Sequence, residues 1–179
     1  MSKIPKKGFV LWLTGLSGAG KSTVADNLYN RLTDEGFTHI ERLDGDIVRE
    51  NLTKDLGFTK EDRKTNLERV AFVAKLLSRN GVGVISTFIS PYETERAMVK
   101  NHVSNYIEVF VNATLETCED RDVKGLYKKA REGIIPNFTG ISDPYEAPAN
   151  PHIELKTGEE SIDESVKRVY DYLVNNGYF

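Results

Sequence analysis

The stretch Gly15-Leu16-Ser17-Gly18-Ala19-Gly20-Lys21-Ser22 fits the pattern G-x-x-x-x-G-K-[ST] and constrains this chain more tightly than any other feature. Glycines at 15, 18 and 20 let the backbone turn so sharply that successive N–H groups face one anion. Lys21 reaches the β- and γ-phosphates of a nucleoside triphosphate, and the Ser22 hydroxyl can ligate Mg²⁺. The flanks decide whether the pattern carries this meaning. Phe9–Thr14 is a short apolar run of the kind that forms a buried parallel strand. After the loop, Val24, Ala25, Leu28 and Leu32 recur at helical spacing until Gly36, a C-terminal cap. Strand, glycine loop and helix in that order make residues 15–22, with Thr23 beyond them, a nucleotide-binding loop at a helix N-terminus.

The rest of the composition suits one compact domain over 1–179. With 39% hydrophobic residues in 179, the chain can bury a substantial core. A net charge of −3 argues against a general binder of nucleic acid or anionic membrane, while leaving room for a local basic pocket. The aromatic residues are too dispersed to form a stacking platform for single strands. No stretch approaches membrane-spanning length, and Met1–Gly8 lacks the apolar core of a signal peptide, so 1–8 reads as a short mobile tail. Cys118 is the single cysteine, which excludes an intramolecular disulfide and makes the cytoplasm the expected location. His39, His102 and His152 have no metal-ligand spacing.

Strand-like and helix-like segments alternate. Strands are expected at Phe9–Thr14, His39–Leu43, Val82–Ser86 and Tyr106–Val111. Helices are expected at Lys21–Glu35, about Lys60 to Asn80, from near Pro91, from near Thr114, and at Ile162–Val174. The implied fold is α/β: a three-layer P-loop NTPase-type architecture, its parallel sheet covered by helices on both faces. Ligands of such folds lie at the carboxyl ends of the strands, where the loop, Asp44, Asp46 and Ser90 all fall. Lys124–Pro151 breaks the alternation with a basic cluster followed by glycines and prolines. Phosphoryl transfer needs cations over the γ-phosphate and a cover against water, so 124–151 reads as a mobile lid and following loop.

Leu43-Asp44-Gly45-Asp46, with Arg49, is the second informative feature. Two carboxylates at a strand end can orient Mg²⁺, accept a hydroxyl proton or cap the next helix, and Asp46 fits the N-cap position. No acidic residue follows the apolar part of Val82–Ser86, which leaves Asp44 and Asp46 as the candidates for metal and base chemistry.

Taken together, these motifs resemble an adenylylsulfate (APS) kinase over nearly the whole chain. The resemblance rests on Trp12–Ser22 and on Leu43–Asp46 with Arg49. It continues through Asp55-Leu56-Gly57-Phe58, Asp62-Arg63 and Asn66, then Phe88-Ile89-Ser90-Pro91. Lys124–Arg131, Asn137–Ile141 and Asp143–Pro148 complete it. It implies ATP-dependent phosphorylation of the 3′-hydroxyl of APS to give 3′-phosphoadenylyl sulfate (PAPS) and ADP. It also implies Mg²⁺, a homodimer and ATP sulfurylase as a functional partner. Glu68 and Glu93 depart from the family pattern, which keeps open a kinase for another nucleotide-like acceptor. A non-catalytic nucleotide-binding module is the other alternative.

In this reading Lys21, Asp46 and Ser90 are the catalytic candidates, with Mg²⁺ held by Ser22 and a further candidate ligand in Asp46. Asp44, Arg49, Arg63, Asn66, Ile89, Lys124 and Asn137 line the APS side. Phe58 and Phe138 stack on its adenine, or else are plain core residues. Ser90 is the residue that the family treats as a phosphoserine; helix capping or substrate hydrogen bonding would explain it as well.

Overall fold

Phe9–Thr14 forms β1, and all six of its residues are buried. A strand covered on both faces belongs in the middle of a parallel sheet. A computed structural model, which describes residues 2–179, places it there. The order is β2 (Ile40–Asp44), β3 (Gly83–Thr87), β1, β4 (Tyr106–Val111) and β5 (Ile153–Leu155), every pairing parallel. Alternate β1 side chains feed two separate cores. Phe9, Leu11 and Leu13 meet α1 (Lys21–Asp34) and α7 (Ile162–Asn175), whereas Val10 and Trp12 meet α3 (Lys60–Arg79) and α4 (Glu93–His102). The chain leaves β1 toward β2 and β3 and later returns to its other side through β4. The carboxyl end of β1 is therefore a topological switch point, and the glycine loop sits on it.

Local signals set most helix ends. Thr59 accepts from the Asp62 amide at the start of α3, and Ser161 forms a reciprocal capping box with Glu164 at the start of α7. The helix expected from near Pro91 begins two residues later, at Glu93. The side chain of its cap residue, Tyr92, makes no capping bond to the helix, and the Glu93 amide donates to Glu146 Oε2 from a distant segment. The helix that the acidic pair is expected to cap is α2 (Gly45–Asn51). Two elements went unforeseen, α6 (Leu126–Arg131) and β5, whose six and three residues are too few for a periodic pattern to register.

Two expectations need correcting. Residues 124–151 are not one open loop, because α6 lies inside them and Tyr127, Ala130, Phe138 and Thr139 are buried. The supposed N-terminal tail is held: Lys3 bonds with Gly36 and Thr38, the Lys6 amide donates to Tyr178 O, and Lys6 Nζ donates to Phe179 O. Met1, its first residue, lies outside the described residues.

Gly8 enters β1 so close to α3 that an added Cβ would lie 1.9 Å from the Ser78 carbonyl oxygen. Gly8→Ala must push the central strand away from that helix end. Thermal denaturation of this variant is expected to show a loss of about 1–3 kcal/mol.

Candidate active site

The loop between β1 and α1 is shaped by donors that hold its carbonyl oxygens. Lys21 Nζ donates to Gly15 O at 3.0 Å and to Leu16 O at 2.7 Å. Tyr127 Oη donates to Ser17 O, Arg121 Nη1 to Gly18 O, and Thr157 Oγ1 to Ala19 O, at 2.8, 3.1 and 2.6 Å. Each of the five carbonyls thus has a donor, and the amides at the start of α1 remain for an anion. Glycine is needed at 15, where a Cβ would come within 2.4 Å of Val111 O. It is needed again at 20, where φ is 100°. The first turn of α1 carries no acidic residue to compete for the site. Burial, reinforced by the charge of Lys124 and opposed by Asp44 and Asp46, lowers the Lys21 pKa to about 8.

Asp44 ends β2 directly beside this loop. Its Oδ2 accepts from Ser22 Oγ at 2.9 Å and from Thr87 Oγ1 at 2.7 Å, and its Oδ1 accepts from the Asp46 amide at 3.0 Å. Burial alone would raise its pKa, but the bonds from Thr87, Asp46 and Ser22 outweigh burial and hold it below the usual carboxylate range. The N-cap of α2 is therefore Asp44, not Asp46. A hydroxyl and an ionised carboxylate side by side are suitable donors for a hard divalent cation. Asp44, rather than Asp46, stands at Ser22; the Asp46 carboxylate forms an ion pair with Lys124.

Beyond Asp46 lies a pair of arginines. Arg49 Nη1 donates to Gly57 O and its guanidinium covers the Phe58 ring at 4.3 Å. Arg63 donates to Phe58 O, Thr139 Oγ1 and Asn137 O at 3.0, 2.9 and 2.7 Å. Neither forms an ion pair with a carboxylate among the described residues. Burial, and after it the charge of Arg63, lowers the Arg49 pKa. The Asp62 and Asp46 carboxylates act on Arg49 from beyond ion-pair distance, and two cations that repel each other with neither in an ion pair make a place for an anion. Phe58 is 66% exposed and open to a flat ligand, whereas Phe138 is buried edge-on against Tyr127. Asn66 is buried as well, its Oδ1 accepting from Thr53 Oγ1, so it braces the turn after α2 against α3.

Ser90 is only 3% exposed. Its Oγ accepts from Trp12 Nε1 at 3.0 Å, and it caps no helix, since α4 begins later. Ile89 is half-buried beside it, and its carbonyl accepts from Thr14 Oγ1. Glu68 and Glu93 are both exposed on the surface, Glu68 next to Lys64. Sequence reasoning missed Thr87, Arg121, Tyr127 and Thr157. Three of these four act on backbone carbonyls, for which no residue pattern gives a signal.

A glycine loop built this way, at the switch point of a parallel sheet, defines the P-loop NTPase class. Comparison with known proteins narrows it further. Residues 7–156 match the adenylylsulphate kinase family. A probable adenylyl-sulfate kinase of Pseudomonas aeruginosa is 65% identical over 166 residues, covering 93% of this chain and 77% of that protein. The adenylyl-sulfate kinase of Halothermothrix orenii is 56% identical over 173 residues, covering 97% and 93%. The Mycobacterium tuberculosis APS kinase, solved in complex with AMPPNP and APS, superposes with a TM-score of 0.90 at 43% identity, covering 95% of this chain and 99% of that one. A hexameric APS kinase from Thiobacillus denitrificans gives 0.74 at 34% identity, covering 97% of this chain and 30% of that one. This chain belongs to the adenylylsulphate kinase family.

Lys21 yields a stability prediction with a definite sign. Its folded pKa is about 8 against 10.5 for an unperturbed lysine, so holding the charge destabilises the empty fold below pH 8. That penalty fades as pH rises from about 8 to 10.5. Lys21→Met should therefore be more stable than the parent at pH 7 by about 1–3 kcal/mol. Denaturant titrations along a pH series should show the gap closing at high pH.

Proposed function

We propose that this chain transfers the γ-phosphoryl group of ATP to the 3′-hydroxyl of adenylyl sulfate, giving PAPS and ADP. The observation that carries this reading is the pair Arg49 and Arg63, two cations in no ion pair among the described residues, set beyond the acidic pair that ends β2 beside the phosphate loop. A simple NTPase has no use for a second anion site. A kinase whose acceptor bears a phosphosulfate group does. The M. tuberculosis relative, in complex with both an ATP analogue and APS, supports the same substrates for this chain.

In this mechanism the phosphates take over Lys21, whose Nζ exchanges the Gly15 and Leu16 carbonyls for β- and γ-oxygens. Ser22, with Asp44 behind it, would hold Mg²⁺, which when bound offsets phosphate charge. Asp46 orients the acceptor hydroxyl and takes its proton once Lys124 has turned from it to an anion. Arg49 and Arg63 neutralise the phosphosulfate group, and Phe58 offers its open face to the adenine. Because the transition state is loose, positioning and charge do most of the work. Segment 124–151 acts as a lid whose closure over bound substrates brings Asn137 and Lys124 to the acceptor. The single domain, homodimeric assembly, cytoplasmic location and ATP sulfurylase as functional partner belong to the same proposal.

Coupled ADP release, measured with APS and with a panel of other nucleotides, tests the substrate; release that is independent of APS would overturn the reading. Arg63→Ala should weaken APS binding by about 1.5–3 kcal/mol while the ATP requirement moves far less. Asp46→Asn is expected to lower turnover roughly 10²–10⁴-fold with little loss of stability. Ser90→Ala should do the reverse. It leaves Trp12 Nε1 without its acceptor, destabilising the fold by about 1–3 kcal/mol, yet keeps most of the turnover. Melting curves and turnover for both variants decide between Asp46 and Ser90. Kinetically competent phosphorylation of Ser90 would reverse the assignment.

A further inference from the structure

Arg96 is only 3% exposed and has had no part in the chemistry so far. A guanidinium is buried at great cost unless its donors are filled and its charge is answered. Both conditions are met. Nη1 donates to Ser90 O at 2.8 Å, Nη2 donates to Glu146 O at 2.6 Å, and Nε lies 3.4 Å from Glu108 Oε1.

The two carbonyls belong to different segments. Ser90 lies in the loop that leaves β3, and Glu146 ends the stretch that follows Asn137–Thr139. Ser90 has φ of 39°, a left-handed conformation that a serine holds only when its surroundings impose it, at a strain of about 1–3 kcal/mol. Further bonds join the same two segments: Glu146 N to Pro91 O at 2.8 Å, Glu93 N to Glu146 Oε2 at 2.7 Å, and Tyr92 Oη to Asp143 Oδ2 at 2.8 Å. Thr14 Oγ1 donates to Ile89 O and is bonded to Tyr145 Oη at 2.9 Å, which ties both segments to the end of β1. Arg96 is the clamp inside this assembly.

We propose that Arg96 is a positioning residue for the acceptor. By holding the 88–91 loop and the 143–146 segment in register, it fixes the wall that Ile89 and Asn137 present to APS, without touching APS itself. The inference rests on the APS-kinase reading above. None of the hydrogen bonds of Arg96 reaches residues 15–23, so the ATP site is not its responsibility. Lysine cannot stand in for it, because one ammonium lacks the planar fork that spans two carbonyls from opposite segments.

The test is steady-state kinetics on the whole chain, with APS and ATP varied separately and folding checked by circular dichroism. Arg96→Lys keeps a charge opposite Glu108 and should raise the KM for APS about 10-fold or more, leaving the KM for ATP within about 2-fold. Glu146→Ala, at an exposed position, removes the acceptor of the Glu93 amide and should shift the APS KM in the same direction by less. A folded Arg96→Lys with an unchanged APS KM, or with equal rises for both substrates, overturns the proposal. If Arg96→Lys does not fold, Glu146→Ala is judged by the same split. Parent enzyme that shows no APS-dependent ADP release would instead bring down the functional reading, and this inference with it.

Discussion

An anion can be held by backbone amides only if the neighbouring carbonyl oxygens are kept away from it, and much of this molecule is arranged around that requirement. The five carbonyls from Gly15 to Ala19 are restrained by donors from α1, α5 (Leu115–Arg121), α6 and the turn after β5. Elements distant in sequence are thereby recruited to one loop. The same requirement explains why β1 is buried on both faces. A loop that must keep its shape when empty needs a rigid strand beneath it, and the central position in the sheet supplies one.

The two acidic residues at the end of β2 illustrate how environment separates like groups. Asp44 accepts three hydrogen bonds and remains ionised as a fixed part of the scaffold. Asp46, two residues on, faces solvent and meets only a lysine from the opposite segment. Both members of that ion pair are more than half exposed, so it adds little to stability and can be exchanged freely. The role proposed for Asp46, which has it leave Lys124 for the acceptor hydroxyl, suits a pair held in this loose way.

The sheet and its long helices were legible because they follow simple periodicities. β1 and β4 lie where the apolar runs place them, and β2 and β3 are displaced by one residue. The phosphate loop, the acidic pair and the basic segment were legible as residue types at fixed spacing. What remained hidden depends on contacts between distant residues. That Asp44 rather than Asp46 caps α2 and stands beside Ser22 is set by bonds from Ser22 and Thr87. Phe138 became a core residue because α6 brought Tyr127 against it. The burial of Ser90 depends on an indole from β1, and no local pattern announces such a bond.

The clasp between the two ends of the chain has a consequence for how this unit can be built into larger proteins. Residues 3–6 and 178–179 are bonded together, and Phe179 packs on Phe9 and Phe37, where β1 begins. Phosphate loop, acidic pair and arginines all lie at the opposite pole, where the strands end. A second domain attached at either end would hang from the base of the sheet, and substrates would still enter unobstructed. Both ends lie at the pole away from the phosphate loop, so the fold itself sets the direction in which any tether would leave.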